Sequence, residues 1–182
     1  VKAIFGHTID TGIAHGTVTV MVDHEGFEVT TYRIDGEYED ARHPKEVIFT
    51  PLLREDLRRR DFTINAMAYN DADGLVDLFG GLSDLRQGVI SCVGDPAERF
   101  TEDALRMLRA VRFAAQLDFQ MERRTKEAIR TLSGNLARVS AERIQAELVK
   151  LLVSDHPEQI ALAYEAGLTE VFLPEFDEMM RT

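Results

Sequence analysis

Cysteine is nearly absent: Cys92 stands alone among 182 residues. A lone thiol excludes an internal disulfide and a cysteine-built metal cluster, and it fits a reducing compartment such as the cytoplasm. Long apolar runs are missing too. Nothing approaches the roughly 18 consecutive apolar residues of a membrane span. Positive charge is scarce, with 21 Lys and Arg against 32 Asp and Glu and a net charge of −11. That balance argues against a broad nucleic-acid-coating surface and leaves room for a local basic site. His7, His15, His24, His43 and His156 are scattered without ligand spacing, so no zinc site is expected. No internal repeat or low-complexity tract is present. The sequence starts "VKAIFGHTID" without Met and stops at "LPEFDEMMRT", from which the expectation is an interior piece of a longer protein.

What is present has a globular balance, 45% apolar and 29% charged, long enough for one large domain or two small ones. Residues 16–33, "GTVTVMVDHEGFEVTTYR", alternate and are rich in Val and Thr, which predicts a β-hairpin with "HEG" between its runs. Residues 35–50 are polar and turn-rich, predicting a mobile loop. "PLLREDLRRR" opens with Pro and reads as a short helix over 51–60. "AMAYNDADGLVDLFGG" gives a second hairpin around "DADG", followed by a short helix at "LSDLRQ" and a strand at "VISCV". From Pro96 helical spacing takes over, with helices expected over 101–117, 122–133, 140–153 and 156–166. Ser140 suits an N-cap, and Gly167 suits a stop. The expectation is an α+β chain with a sheet-containing first part, 1–95, and an all-helical second part, 96–182.

The helix expected over 101–117 carries an unusual row. Asp103, Arg106, Arg109 and Arg112 recur every three residues and would line one helical face. The row would rise roughly 13 Å, close to an extended nucleoside triphosphate. Leu105, Leu108 and Val111, flanked by Met107, Ala110 and Ala114, supply a packing side opposite. An Asp beside an Arg offers a carboxylate acceptor next to a guanidinium donor. Cytosine and adenine present an exocyclic amine beside a ring-nitrogen acceptor, so Asp103 suits the amine and Arg106 the ring nitrogen. Uracil and guanine present the reverse pattern and would meet like against like. Arg109 and Arg112 suit phosphate. The plainer reading pairs these arginines with Glu98, Glu102 and Asp103 as surface salt bridges.

A second constellation is "LRRRDFTINAMAYN", 57–70. It lies between a helix and a hairpin, a usual place for functional residues. Arg60 suits phosphate, and Asn65 suits orienting a turn or a ligand. Equally, the arginines offset a helix dipole while Asp61 and Asn65 make a turn.

"RRDFTINAMA", "DLFGG" and "EDALRMLRAVRF", in this order and spacing, resemble the tRNA nucleotidyltransferases, the CCA-adding enzymes, and within them the class II group that also holds the bacterial poly(A) polymerases. "HGTVTV" and "EVTTYR" resemble the end of that family's catalytic head, and "SAERIQAELVKLL" its helical neck. The resemblance implies the remainder of a polymerase-β-type palm followed by a neck. It implies addition of C and A to the tRNA 3′ end from CTP and ATP with Mg²⁺. Asp103 and Arg106 would read the incoming base, and Arg60, Arg109 and Arg112 would hold the nucleotide, with Asp61 and Asn65 in support. The family's glycine-rich turn and its paired strand aspartates have no match here; "TIDTG" at 8–12 holds only one Asp. Its third carboxylate matches Glu28, which the resemblance makes a catalytic metal ligand and which otherwise reads as a solvent-facing strand Glu. The expectation is that the piece alone does not catalyse.

The loop "YRIDGEYEDARHP", at the place where the family's mobile loop shifts preference from C to A, is full length, with Glu39, Asp40 and Arg42 as candidates there and His15 near the head strands. That leans toward CCA or A addition. Poly(A) polymerases typically carry Pro where this chain has Ala104, which favours CCA addition over that rival. An A-adding enzyme and a non-catalytic RNA-binding module are two further rivals. Arg123, Arg124, Lys126 and Arg130 form a basic patch suited to acceptor-stem phosphates or to solvent.

Overall fold

The computed structural model describes residues 1–13, 16–36 and 47–181. Glu39, Asp40, Arg42, His15 and His43 lie outside the described residues. Residues up to Arg59 gather in one compact unit, and those from Arg60 onward in a second. No helix among the described residues is long and apolar enough to cross a membrane.

In the first unit, β1 (Thr8–Gly12), β2 (Thr17–Val22) and β3 (Glu25–Thr30) form an antiparallel sheet in that order. Strand β1 was not foreseen. The β2–β3 turn is one or two residues earlier than expected. Asp23 and His24, at φ 47° and 69°, are its tip, and Glu25 and Gly26 already pair with Val22 and Met21. A two-residue turn with both residues left-handed matches the twist of its strands, and Asp tolerates that conformation better than most residues. The expected 35–50 loop is strand at both ends. β4 (Arg33–Asp35) pairs antiparallel with β5 (Val47–Phe49), whose apolar residues favour extension. The short helix α1 (Leu53–Arg58) follows as expected. Its buried Asp56 accepts the Arg33 amide at 3.3 Å and Arg59 Nε and Nη2 at 3.0 and 2.7 Å, which ties the helix to β4.

The second unit opens with a turn at Thr63–Asn65, then β6 (Met67–Asn70) and β7 (Gly74–Asp77), the foreseen hairpin. Helix α2 (Gly81–Gln87) is also as expected, and it explains "DLFGG" physically. Asp77 caps the helix, accepting the Gly81 and Leu82 amides at 2.8 and 2.9 Å. Gly81 is the residue of closest approach: a Cβ there would lie 2.2 Å from the Thr63 carbonyl oxygen. The expected strand "VISCV" shrinks to β8 (Val89–Ile90), parallel to β9 (Gln120–Met121), while Cys92 bridges Phe62.

The helix expected over 101–117 is two helices, α3 (Pro96–Glu102) and α4 (Leu105–Leu117). Asp95 caps α3 through the Ala97 and Glu98 amides, with Pro96 in its first turn. Asp103 is extended, at φ −143° and ψ 103°, and its Oδ1 accepts the Leu105 amide at 3.1 Å. A carboxylate that satisfies an amide of the next helix interrupts the first one. α5 (Arg123–Leu132), α6 (Ala141–Leu152) and α7 (Ile160–Glu165) match expectation, and Gly167 follows at φ 75°. Two short helices, α8 (Thr169–Phe172) and α9 (Pro174–Met180), complete the unit. The packing side of α4 is as foreseen, with Leu105, Met107, Leu108, Val111 and Ala114 buried against Phe62, Phe100, Ile129 and Leu151.

Candidate functional site

The stretch "RRDFTIN" is built around a buried carboxylate. The Asp61 carbonyl accepts the Val93 amide at 3.0 Å and the Ser91 carbonyl accepts the Thr63 amide at 2.9 Å, so the turn is sewn to residues 91–93. Asp61 Oδ1 accepts the Phe62 amide at 2.9 Å and Asn65 Nδ2 at 3.2 Å. Its Oδ2 accepts Arg109 Nε at 2.8 Å and Nη2 at 2.5 Å. Burial alone would raise the carboxyl's pKa. The Arg109 charge and the hydrogen bonds outweigh it and hold the group below its ordinary value. Asp61 therefore stays ionised and fixes both Arg109 and Asn65. Arg60 Nη1 donates to the Asn65 carbonyl at 3.1 Å. Arg109 remains 32% exposed, so its outer edge faces solvent.

Arg112 sits differently. Its Nε donates to Glu147 Oε2 and its Nη1 to Gln116 Oε1, both at 2.5 Å. Its guanidinium carbon lies 3.8 Å from the centroid of the Phe113 ring. With side-chain exposures of 9% and 6%, Arg112 and Glu147 form a buried pair that docks α4 on α6. As placed, this guanidinium faces α6 and not a surface where phosphate would lie.

Asp103 is not on the α4 row at all, because it forms the break between α3 and α4. Arg143 of α6 grips it, Nη1 to Oδ1 at 3.3 Å and Nη2 to Oδ2 at 2.8 Å. Arg106, in the first turn of α4, donates from Nη1 to Glu102 Oε2 at 2.7 Å and to the Arg99 carbonyl at 3.3 Å. Arg99 in turn donates to Glu102. Both base-reading candidates thus sit at one helix junction, each held by a charged partner. The expected pairing with Glu102 occurs. Sequence reasoning missed Arg143 and Glu147. The available signal was that they lie one turn apart on α6 and complement Asp103 and Arg112 in charge.

Glu28 belongs to the first unit. It lies on exposed strand β3, opposite Thr19. No group of three His, Cys, Asp or Glu suited to a metal ion exists among the described residues. A single exposed carboxylate does not by itself fit a divalent cation. In the basic patch, Arg123 pairs with Glu127 and Lys126 with Glu165, each at 2.8 Å, and Arg124 lies 3.5 Å from Asp95.

Against known families, residues 1–91, half of the chain, match the model described as "Poly A polymerase head domain". The chain belongs to the poly(A) polymerase head domain family. Residues 118–180 match a second model, "Probable RNA and SrmB-binding site of polymerase A". Among curated proteins, the chain is 52% identical over 159 residues to the CCA-adding enzyme of Ligilactobacillus salivarius, covering 87% of the chain and 39% of that protein. It is 50% identical over 176 residues to the CCA-adding enzyme of Anoxybacillus flavithermus, covering 96% of the chain and 44% of that protein. The chain thus spans about two fifths of the length of these relatives. Among solved structures it is similar to the Bacillus stearothermophilus CCA-adding enzyme in complex with CTP, with a TM-score of 0.84 and 42% identity over 91% of the chain and 40% of that protein. A tRNA nucleotidyltransferase complexed with a primer tRNA and an incoming ATP analogue matches with a TM-score of 0.71 and 33% identity, covering 87% of the chain and 45% of that protein. The α+β architecture, small antiparallel sheets followed by helices, matches that of the solved CCA-adding enzyme.

Proposed function

We propose that the chain is the base-reading part of an enzyme that adds C and A to the 3′ end of tRNA, without a nucleic-acid template, from CTP and ATP. The observation that carries this is the junction between α3 and α4, where the acceptor Asp103 and the donor Arg106 stand three residues apart, each held by a charged partner. Half identity to CCA-adding enzymes over most of the chain supports it.

In this reading Asp103 accepts the exocyclic amine of cytosine or adenine, and Arg106 donates to the neighbouring ring nitrogen. Uracil and guanine are refused because carbonyl meets carboxylate and N–H meets guanidinium. Arg109 carries the phosphate contact from α4, oriented by Asp61, and Arg60 and Asn65 border the same turn. Arg112 serves from inside, by holding α4 on α6. Residues 1–95 are the head remainder and 96–182 the neck. Mg²⁺ is the ion we assign to the complete enzyme, of whose ligands Glu28 supplies one at most. The cytoplasm is its compartment, given a lone buried thiol and tRNA as substrate.

Arg106→Ala in the full-length product of the gene is the test. Lost selection among CTP, ATP, UTP and GTP, with tRNA affinity unchanged, is the expected result. Weaker tRNA binding with selection intact would instead make the α3–α4 junction part of an RNA-binding surface.

A further inference from the structure

Helix α6 meets α4 and the reading junction through two residues one turn apart and opposite in sign. Glu147 takes the buried Arg112, and Arg143 takes Asp103. The first pair fixes α6 against α4. The second therefore arrives in a rigid frame, and it is bidentate, the geometry in which guanidinium orients a carboxylate as well as attracting it.

The lone pairs on Asp103 can be counted. Oδ1 accepts the Leu105 amide at 3.1 Å and Arg143 Nη1 at 3.3 Å, and Oδ2 accepts Arg143 Nη2 at 2.8 Å. A carboxylate has about four acceptor sites. Three are taken by donors of this chain, and the one left lies on Oδ2. Arg143 thereby decides which oxygen, and which direction from it, is offered to a ligand. Leu105 alone would leave the carboxylate free to turn about its last bond.

We propose that Arg143 is a positioning residue for base selection: it aims the single open acceptor of Asp103 and so sets discrimination of amine-bearing bases, cytosine and adenine, from carbonyl-bearing ones. This rests on the reading of Asp103 given above. Arg143 does not touch the nucleotide. Its removal leaves Asp103 able to accept from water or from a differently oriented base edge. The loss should therefore fall on selection and not on triphosphate binding.

The experiment uses the full-length product of the gene and tRNA ending before CCA, comparing R143M, R143K and D103A. Kinetics of single-nucleotide incorporation are measured for CTP and UTP, and inhibition by inorganic tripolyphosphate is measured alongside. The expected result is a loss of about tenfold or more in the CTP-over-UTP ratio of kcat/KM for R143M, in the range one base contact carries. The change should fall mainly on KM for CTP, with tripolyphosphate inhibition unchanged. R143K, with one donor group in place of the fork, should be intermediate. An equal fall for both nucleotides in R143M, with selection lost only in D103A, overturns the proposal while leaving the reading of Asp103 standing. Selection intact in D103A overturns both. Should R143M fail to fold, R143K decides: selection equal to that of the parent refutes the proposal.

Discussion

Replacing Asp61 by Asn tests the organisation of the site through stability and pH together. Asp61 accepts four hydrogen bonds, from Phe62 N, Asn65 Nδ2 and two nitrogens of Arg109. An Asn amide keeps one acceptor oxygen and turns an NH₂ toward at least one of these donor sets, so the Arg109 pair or the turn is lost. Removing one partner of a fully buried ion pair costs about 3–5 kcal/mol. Arg109 is 32% exposed, so water recovers part of this, and the expected loss is about 2 kcal/mol. In a chain of this size that is about 4–8 °C in Tm. The pH dependence follows from the direction of the shift. The folded carboxyl titrates below its ordinary value of 3.8. Its stabilisation is therefore present above the unfolded value and disappears as pH falls through the folded one. The gap between parent and D61N should be full at neutral pH and shrink on acidification below 3.8. Urea denaturation across an acid-to-neutral series measures it. A neutral-pH loss under about 0.5 kcal/mol, within the range of an ordinary surface change, would refute the reasoning, as would a gap that does not change with pH.

Arg112→Met should cost about 3 kcal/mol, the low end for a broken buried pair, because Glu147 keeps only the longer contact of Lys150 at 3.5 Å, and the double change R112M/E147L should recover most of it; denaturation midpoints check this, and a double variant as unstable as the single would contradict a buried ion pair. Cys92 is buried and pushed up to about 12, first by burial and then by the nearby Asp61 and Glu122 charges. At mildly alkaline pH it should react with a disulfide reagent only as fast as the chain unfolds; labelling of the folded chain at the rate of a free thiol would be the contrary result.

Legibility in the sequence followed the range of the interactions. The β6–β7 hairpin, α2 and the apolar side of α4 were readable because turn residues and periodicity act within a few positions. Asp103 was misread as mid-helix. An Asp that ends one helix by capping the next is flanked by helix-forming residues on both sides, so composition carries no gap. The partners of the charged row were only partly readable. Glu102 lies one turn from Arg106, within reach of a local pattern. Asp61, Arg143 and Glu147 are brought to Arg109, Asp103 and Arg112 from 48, 40 and 35 residues away. Such pairs come from helix packing, at which a local pattern hints only through the opposite charges of Arg143 and Glu147 one turn apart. The same packing took Arg112 from an expected phosphate contact into the interior.

Terminal addition to tRNA is the decisive measurement. The full-length product of the gene is incubated with Mg²⁺, CTP, ATP and a tRNA ending just before CCA, and the product ends are sequenced. The expected products carry C, C and A, after which addition stops. A single A added only to an end that already carries CC, a long A tail, or no addition to any RNA would contradict it.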